Sequence, residues 1–568
     1  MATAQPTIAA GITAPPLVGH TVQTGWAKAL IPSFSDCFFI ALFVWLFVAG
    51  PHGWDSLLGD ADVGWHIRTG EWILQHHTVP THDLFSFSKE GAPWFAWEWL
   101  SDVSFALLFR AAGFKGIVLF TGVVIGVYST IMLRCTFWRG ANAMIALPIV
   151  LLGVGSSTVH FLARPHVFTL LFLAISFWLL ACDSRQNSRY VWLLIPLTVL
   201  WVNLHGGFFM FLACLALLIF GSAAETLLGV RVPGSGRWGS VRRYMLLFAG
   251  CAAASLINPY GINLHKHVAE YLRSDWIRNN VQEFQAPTFR TEGQLQLEVV
   301  LILALLIVPM LLRGRRITEA LWILFLAHSS LTSLRHAPLF CLLAVPLIAS
   351  ELSFTWTRAA INLPRSSLLR TLHTLGSDLS VPFQRSSVWI LLTIVLVAWA
   401  PLNWPADFPK ELFPTSVVAH YSDRLQNGRV LTTDQWGDYL IFHFYPRLKV
   451  YVDGRSDLYG EQLGQEYLHV LQLSSDWQQI FKRRGFDTVL LGPEWPLVQM
   501  LRQSPDWRIA EENKKAILLV RRDNSPSQSA SSPSPTAGLV LKKTRPEANE
   551  NLQHRRTLYT GDRRNERG

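Results

Sequence analysis

Charge is scarce in this chain of 568 residues. Asp, Glu, Lys and Arg make up only 15% of it, against about 25% in ordinary soluble domains. Half of the residues are hydrophobic, with 23 Trp and 34 Phe, so the composition is that of a polytopic membrane protein. The net charge of +10 does not form a nucleic-acid-binding stripe. The basic residues sit in short clusters between apolar runs, as membrane loop charges do, and no nucleic-acid partner is expected. Cysteine is sparse too: Cys37, Cys135, Cys182, Cys214, Cys251 and Cys341 lie in or beside apolar runs without CxxC spacing, which reads as core packing and not as disulfides or a zinc site. No GxGxxG, Walker lysine motif or GxSxG occurs in the C-terminal part, leaving a nucleotide site or a serine hydrolase there unsupported. Residues 1–33 hold no acidic residue and one lysine, Lys28, and are read as a cytoplasmic segment before an uncleaved signal-anchor.

What is abundant is long apolar sequence. Runs able to cross a hydrocarbon core of about 20 residues fall near 36–50, 116–134, 142–158, 167–182, 190–203, 208–229, 243–257, 295–312, 318–333, 338–352 and 387–402. This predicts about 11 transmembrane helices within residues 34–402. With a cytoplasmic N-terminus, the inside loops carry Arg134 and Arg139; Arg185 and Arg189; Arg231, Arg237, Arg242 and Arg243; Arg313, Arg315 and Arg316; and Arg358, Arg365 and Arg370. Those loops are basic and poor in acid, as the positive-inside rule requires. The segment Trp97 to Phe114 holds Glu98, Asp102 and Arg110. It is expected to lie at the outer interface as an amphipathic helix, because a twelfth span would turn the later basic loops outward.

The same count gathers most of the chemically capable groups on the outer side. The first external loop, 51–115, contains Gly59 to Pro80 (GDADVGWHIRTGEWILQHHTVP), and later outer loops carry Arg164 and His166, His205, His265-Lys266-His267, and Arg335-His336. Within the first loop, Asp60 and Asp62 form a DxD pair. One carboxylate could accept a proton from a hydroxyl and a second could hold a divalent cation. Alternatively, an Asp at the start of a short interfacial helix caps it. The cationic groups suit a phosphate that develops charge in a partly dry cavity, and equally suit interfacial anchoring or lipid headgroups. His205, followed by Gly206-Gly207, reads first as hydrogen-bonded structure with close helix approach. His265-Lys-His267 is a weak metal pattern, and divalent metal dependence stays open.

Beyond the Pro/Trp-rich linker 401–410 the pattern becomes that of a soluble domain, 403–522. Strands are expected at Arg429 to Thr433, Leu448 to Val452, Phe486 to Leu491 and Ala516 to Val520, alternating with helices at Asp438 to Phe444, Glu461 to Arg484 and Trp495 to Gln503. That alternation predicts a small α/β domain with a largely parallel sheet, on the outer side. Asp453 and Arg455, after one of these strands, are candidates for acceptor binding or for a salt-bridged turn. The Ser/Pro-rich and then basic tail 523–568 is expected to be disordered.

The first external loop resembles that of the GT-C membrane glycosyltransferases, in the protein O-mannosyltransferase and lipid A aminoarabinose transferase branch. Counting from Asp62, the small residue expected eight positions on is Gly70, the apolar pair is Ile73-Leu74, and Pro80 follows. Val63 stands where that loop has a second acid and His66 where it has an aromatic, with Trp65 one place earlier and Asp60 as the substitute second carboxylate. The resemblance implies a GT-C-like inner- or plasma-membrane enzyme with a C-terminal extracytoplasmic α/β domain. It would transfer a sugar, usually with inversion, from a polyprenyl-phosphate donor to a cell-envelope lipid, glycan or protein acceptor at the outer face. By the same resemblance Asp62 is the general base, supported by Asp60. The external cations, for which Arg164, His166, His265, Lys266, Arg335 and His336 are the candidates, would hold the donor phosphate, while Asp453 and Arg455 stay candidates for the acceptor by their place after a strand. Two other classes remain: a transporter or flippase for an anionic lipid or solute, expected to show mid-span charges or an inverted repeat, and a non-catalytic membrane scaffold.

Overall fold

A computed structural model describes residues 32–49, 53–230, 236–364, 366–380 and 388–522. Residues 1–31 of the N-terminal segment, Arg231, Arg365 and the tail 523–568 lie outside the described residues. Each apolar run identified above falls on a helix, from Phe34–Val44 through Val388–Trp399. Five helices among the described residues are long and apolar enough to cross a membrane: Trp99–Trp138, His166–Arg185, Phe208–Leu227, Glu292–Arg313 and Leu334–Ile361. Shorter apolar helices accompany them at Phe34–Val48, Ala143–Ser156, Arg189–Leu204, Ile317–Thr332 and Val388–Trp399. The chain is an integral membrane protein by this helix content.

The segment expected to lie at the interface forms a helix of its own from Trp99, joined at a kink to the span after it within Trp99–Trp138. The kink falls at Ala112 and Gly113, whose backbones leave the helical region, Gly113 with φ of 61°. Glycine tolerates that conformation at little cost, so the break separates the acid-bearing segment from the apolar one. Arginines of the expected inside loops fasten helices to one another. Arg139 pairs with Glu319 at 2.8 Å and Arg243 with Asp183 at 2.9 Å, while Arg316 bridges Glu319 and Glu351.

The first external loop forms a helix over Asp62–His76 that ends where His77 adopts the left-handed conformation. Two of its glycines set its neighbours. At Gly70 an added Cβ would lie 2.0 Å from the Asp102 carbonyl oxygen and 2.8 Å from the Ala106 Cβ. At Gly64 it would lie 2.9 Å from the Phe442 Cβ and 3.1 Å from the Asp438 carbonyl oxygen. One glycine therefore lets the helix cross Trp99–Trp138, and the other lets the soluble-domain helix Asp434–Phe444 press on it from the other side. Val63, Trp65, Ile67 and Ile73 of this helix are buried.

The soluble domain carries a four-stranded sheet in the order β1-β2-β4-β3, with β1 Val430–Leu431, β2 Thr488–Leu491, β3 Trp507–Glu512 and β4 Ile517–Arg521. Only β1 and β2 are parallel. The β2–β4 and β3–β4 pairs are antiparallel, which corrects the expectation of a largely parallel sheet. The reason is local: β3 and β4 are joined by the short Asn513–Ala516 turn, closed by the Asn513 N–H donating to the Ala516 carbonyl at 2.9 Å, and a short connection permits only antiparallel pairing. The expected strand at 448–452 also lies outside the sheet. Val450 exchanges backbone hydrogen bonds with Phe85 and Phe87 of the first loop, at 2.9 and 3.0 Å. The soluble domain and the first loop are thus stitched together by backbone pairing as well as by helix packing.

Candidate functional site

Where these parts meet there is a cavity of about 170 Å³. Asp62, Trp65 and His66 line it from the first helix, Trp94, Trp97 and Glu98 from the chain that follows, and Gly454, Arg455 and Asp457 from the soluble domain. His160, Arg164 and His166 come from the start of the His166–Arg185 helix, His205 from the end of Leu194–Leu204, and Glu283, Arg335 and His336 from the connections between later helices.

The DxD pair divides its labour. The Asp62 backbone N–H donates to Asp60 Oδ1 at 2.9 Å, while Asp62, the first helical residue, makes no capping bond. Capping therefore belongs to Asp60, whose carboxylate is off the cavity, and Asp62 is left to project into it. Arg164 ties the two together: Nη2 is 2.6 Å from Asp62 Oδ2 and Nη1 is 3.0 Å from Asp60 Oδ2. On its far side Arg164 approaches Glu283 at 3.6 Å, and Glu283 approaches Arg335 at 3.6 Å. Burial pushes the Asp62 carboxyl well above the usual carboxylate range; Arg164 opposes this, and Asp60 adds to it. Burial would raise Glu283 as well, but Arg335 and Arg164 hold it well below its ordinary value. The arginines thus stay charged beside a firmly ionised Glu283, while Asp62 is the more basic carboxylate.

A second polar set forms another wall. His66 Nδ1 is 2.6 Å from Asp102 Oδ1, which fixes the ring and turns Nε2 toward Glu98. Burial, Arg164 and the neighbouring histidines hold the His66 ring well below its ordinary pKa; it is neutral. His205 Nδ1 accepts from the Gly207 N–H at 3.0 Å and meets the Thr169 hydroxyl at 2.8 Å. The Thr169 oxygen in turn accepts from Trp201 Nε1 at 2.8 Å, which leaves the proton of His205 on Nε2. Glu98 stands between the two rings, 3.7 Å from His66 Nε2 and 3.5 Å from His205 Nε2, separations longer than hydrogen bonds. Burial pushes Glu98 up to about 8, so at neutral pH it is a carboxylic acid able to donate.

Of the residues singled out in the sequence, Asp62, Arg164, His166, Arg335, His336 and Arg455 come together on this cavity. His265 and Lys266 are not on its lining. His265 Nε2 bonds the Ser255 hydroxyl at 2.9 Å, with its ring against Phe208 and Phe209. Asp453 lies behind the lining: Arg455 Nε and Nη2 donate to its two oxygens at 2.8 and 2.6 Å, and the Tyr459 hydroxyl donates at 2.6 Å. Arg455 Nη2 also reaches Asp83 at 2.8 Å, and its guanidinium lies over Phe85 and Trp94. Its Nη1 is buried and has no hydrogen-bond partner. Asp453 therefore holds Arg455, and Arg455 is the member of the pair that meets the cavity.

Sequence reasoning passed over Asp438 and Glu283, and ranked Glu98 and His205 low. Asp438 had one signal, the Gly437-Asp438 step in a helix: a Cβ at Gly437 would lie 2.2 Å from the Val452 carbonyl oxygen, so that helix is built for close approach. No group of three or more metal-ligating side chains converges among the described residues, and Asp62 is already engaged by Arg164. These residues do not fit a divalent cation.

No protein-family model and no curated protein sequence matches the chain. Solved structures do. The oligosaccharyltransferase AglB from Archaeoglobus fulgidus, in complex with an inhibitory peptide and a dolichol-phosphate, superposes with a TM-score of 0.50 at 11% identity, covering 81% of this chain and 69% of its own. An Archaeoglobus fulgidus oligosaccharyltransferase tethered to an acceptor peptide gives 0.49 at 11% identity, over 80% of this chain and 68% of that one. ArnT from Cupriavidus metallidurans bound to undecaprenyl phosphate gives 0.46 at 9% identity, over 86% and 98%. The GT-C fold implied by the first loop is the fold of this chain.

Proposed function

We propose that the protein is a membrane glycosyltransferase that moves a sugar from a polyprenyl-phosphate-linked donor to a cell-envelope lipid, glycan or protein acceptor. The observation that carries this reading is the convergence of Asp62, Arg164, His166, Arg335, His336 and Arg455, from loops far apart in sequence, on one cavity. Transfer needs a base for the acceptor and cations for the departing phosphate, and both kinds of group face the same space. Asp62 takes the proton from the acceptor hydroxyl or amide as its oxygen or nitrogen attacks the anomeric carbon. The bond to the carrier phosphate breaks with its electrons staying on oxygen. Arg335 and Arg164, with the neighbouring histidines, stabilise that developing charge in a site with little water. Arg455 presents its free Nη1 donor to the acceptor side, held by Asp453, Asp83 and Tyr459.

The fold shared with an oligosaccharyltransferase in complex with a dolichol-phosphate supports a lipid-phosphate carrier as donor. The basic loops support a cytoplasmic N-terminus and an extracytoplasmic soluble domain, which puts the cavity at the outer face. Mass spectrometry of envelope glycans and glycoproteins, with and without the gene, tests the reading. One glycan or glycoform should disappear on deletion and return with the wild-type gene. Identical envelope glycomes from the two strains would remove the assignment.

A further inference from the structure

Asp438 belongs to the soluble domain, yet its side chain is fully buried against the first membrane loop, beside Asp62, which is 4% exposed. The two carboxyls converge on the Gly454 backbone, and two carboxyl oxygens brought together inside a protein bond each other only with a proton between them. The contact is built from both sides. The Gly454 N–H donates to Asp438 Oδ1 and Oδ2 at 3.0 and 3.2 Å. A Cβ at Gly454 would stand 2.4 Å from Asp62 Oδ1 and 2.9 Å from Asp438 Oδ2, so only glycine lets the Asp453–Ser456 turn close over the pair. Asp62 Oδ1 is buried and has no hydrogen-bond partner, so it is the open acceptor for a proton carried on Asp438. Like charges this close inside a protein do not both ionise.

We propose that Asp438 is a positioning residue for the transfer reaction: it holds one proton against Asp62, so that the soluble domain completes the base carried by the membrane domain. This rests on the reading of Asp62 as the base. In the resting pair Asp438 is the acid, donating to Asp62 Oδ1, and Asp62 is the carboxylate, with its Oδ2 on Arg164. When the acceptor gives up its proton to Asp62, the pair holds two protons, and loss of one to solvent restores it.

The groups facing the pair agree with a single negative charge. Asp60 and Arg164 face Asp62, and burial, Asp62, Asp453 and Asp60 all push the Asp438 carboxyl up, opposed by the Gly454 N–H. The Asp453 charge is taken up by Arg455. The pair titrates as a unit, and its two apparent ionisations belong to both residues.

The test compares Asp438→Asn with Asp438→Ala in the full-length protein. An amide NH2 can replace the shared proton; a methyl cannot. The proposal expects Asp438→Asn to keep turnover within about tenfold of wild type and Asp438→Ala to lose about 10²-fold, the scale of a general-base contribution, with donor KM and Tm little changed in both. The pH–rate profile of the Asn variant should lack one ionisation. Equal activities for the two variants, high or low, would overturn it. Infrared difference spectra of wild type against Asp438→Asn read the pair without any substrate. One protonated carboxylic acid should be missing in the variant, and unchanged carboxylic-acid absorption would overturn the shared proton even where the glycosyltransferase reading stood. If the wild type itself transfers no sugar but that absorption is lost, the failure lies with the reading of function and not with the pair.

Discussion

Arg164 Nη2 stands 2.6 Å from Asp62 Oδ2, so the residue assigned as base is held by one of the cations assigned to the phosphate. The contact joins the two halves of the chemistry. It draws the Asp62 pKa down against the burial that raises it, and it sets Arg164 between the base and the Glu283–Arg335 side of the cavity.

Arg164→Gln removes the charge that lowers the Asp62 pKa. Asp62 then stays protonated to higher pH, so the acid limb of the pH–rate profile should move upward and turnover at neutral pH should fall. Arg164→Lys, which keeps the charge but loses the fork, should lie between. An unmoved acid limb in the Gln variant would detach Arg164 from the base.

Arg335 and Glu283 should act in opposite directions. Arg335→Ala should raise KM for the polyprenyl donor by about tenfold or more, the scale of a lost charged hydrogen bond. Glu283→Gln releases two arginines from their shared acid and should lower it. Because Glu283 is held below its ordinary pKa, its contribution to stability is present above that ordinary value and is lost as pH falls through the folded one. Donor titrations of both variants check the pair, and equal shifts of one sign would contradict it.

Glu98 gives the converse pH dependence. Its pKa of about 8 in the fold lies above the ordinary 4.5, so between those values the folded chain binds more protons than the unfolded one. Stability therefore falls as pH rises across that window. Glu98→Gln copies the neutral form and should flatten Tm against pH there, most visibly in the middle of the window, where the two states differ by nearly a whole proton. A slope identical to wild type would show that Glu98 is ionised in the fold.

Gly454→Ala should cost about 1–3 kcal/mol, as overpacking does, since its Cβ would meet Asp62 and Asp438. The larger effect should be on turnover. Thermal unfolding and activity measured on one preparation check this: full activity in a folded Ala variant would mean that the turn can move away from the carboxylates.

The membrane part of the fold was legible because about 20 apolar residues in a row have few other uses. Asp62 and Gly70 were legible through their spacing, and the structure gives Gly70 its reason: the Asp102 carbonyl oxygen occupies the place of a side chain. Asp438 was not legible, because a lone Asp on a soluble helix looks like any solvated residue until that helix is seen pressed on Gly64. The sheet misled for a similar reason. The Leu448–Val452 run has the pattern of a strand, but its partner is the first loop instead of the sheet. The edge strand Trp507–Glu512 is exposed over half of its length and has one buried residue, Trp507, so its alternation is weak. In each case the missing information was which distant segment covers the face.

The most direct test of the central claim is sugar transfer by purified protein in lipid vesicles, using the donor lipid and acceptor identified from the envelope comparison. Wild type should form product, and Asp62→Asn should lose about 10²- to 10⁴-fold in turnover while its Tm stays near that of wild type. Wild-type turnover by a folded Asp62→Asn protein would contradict the account.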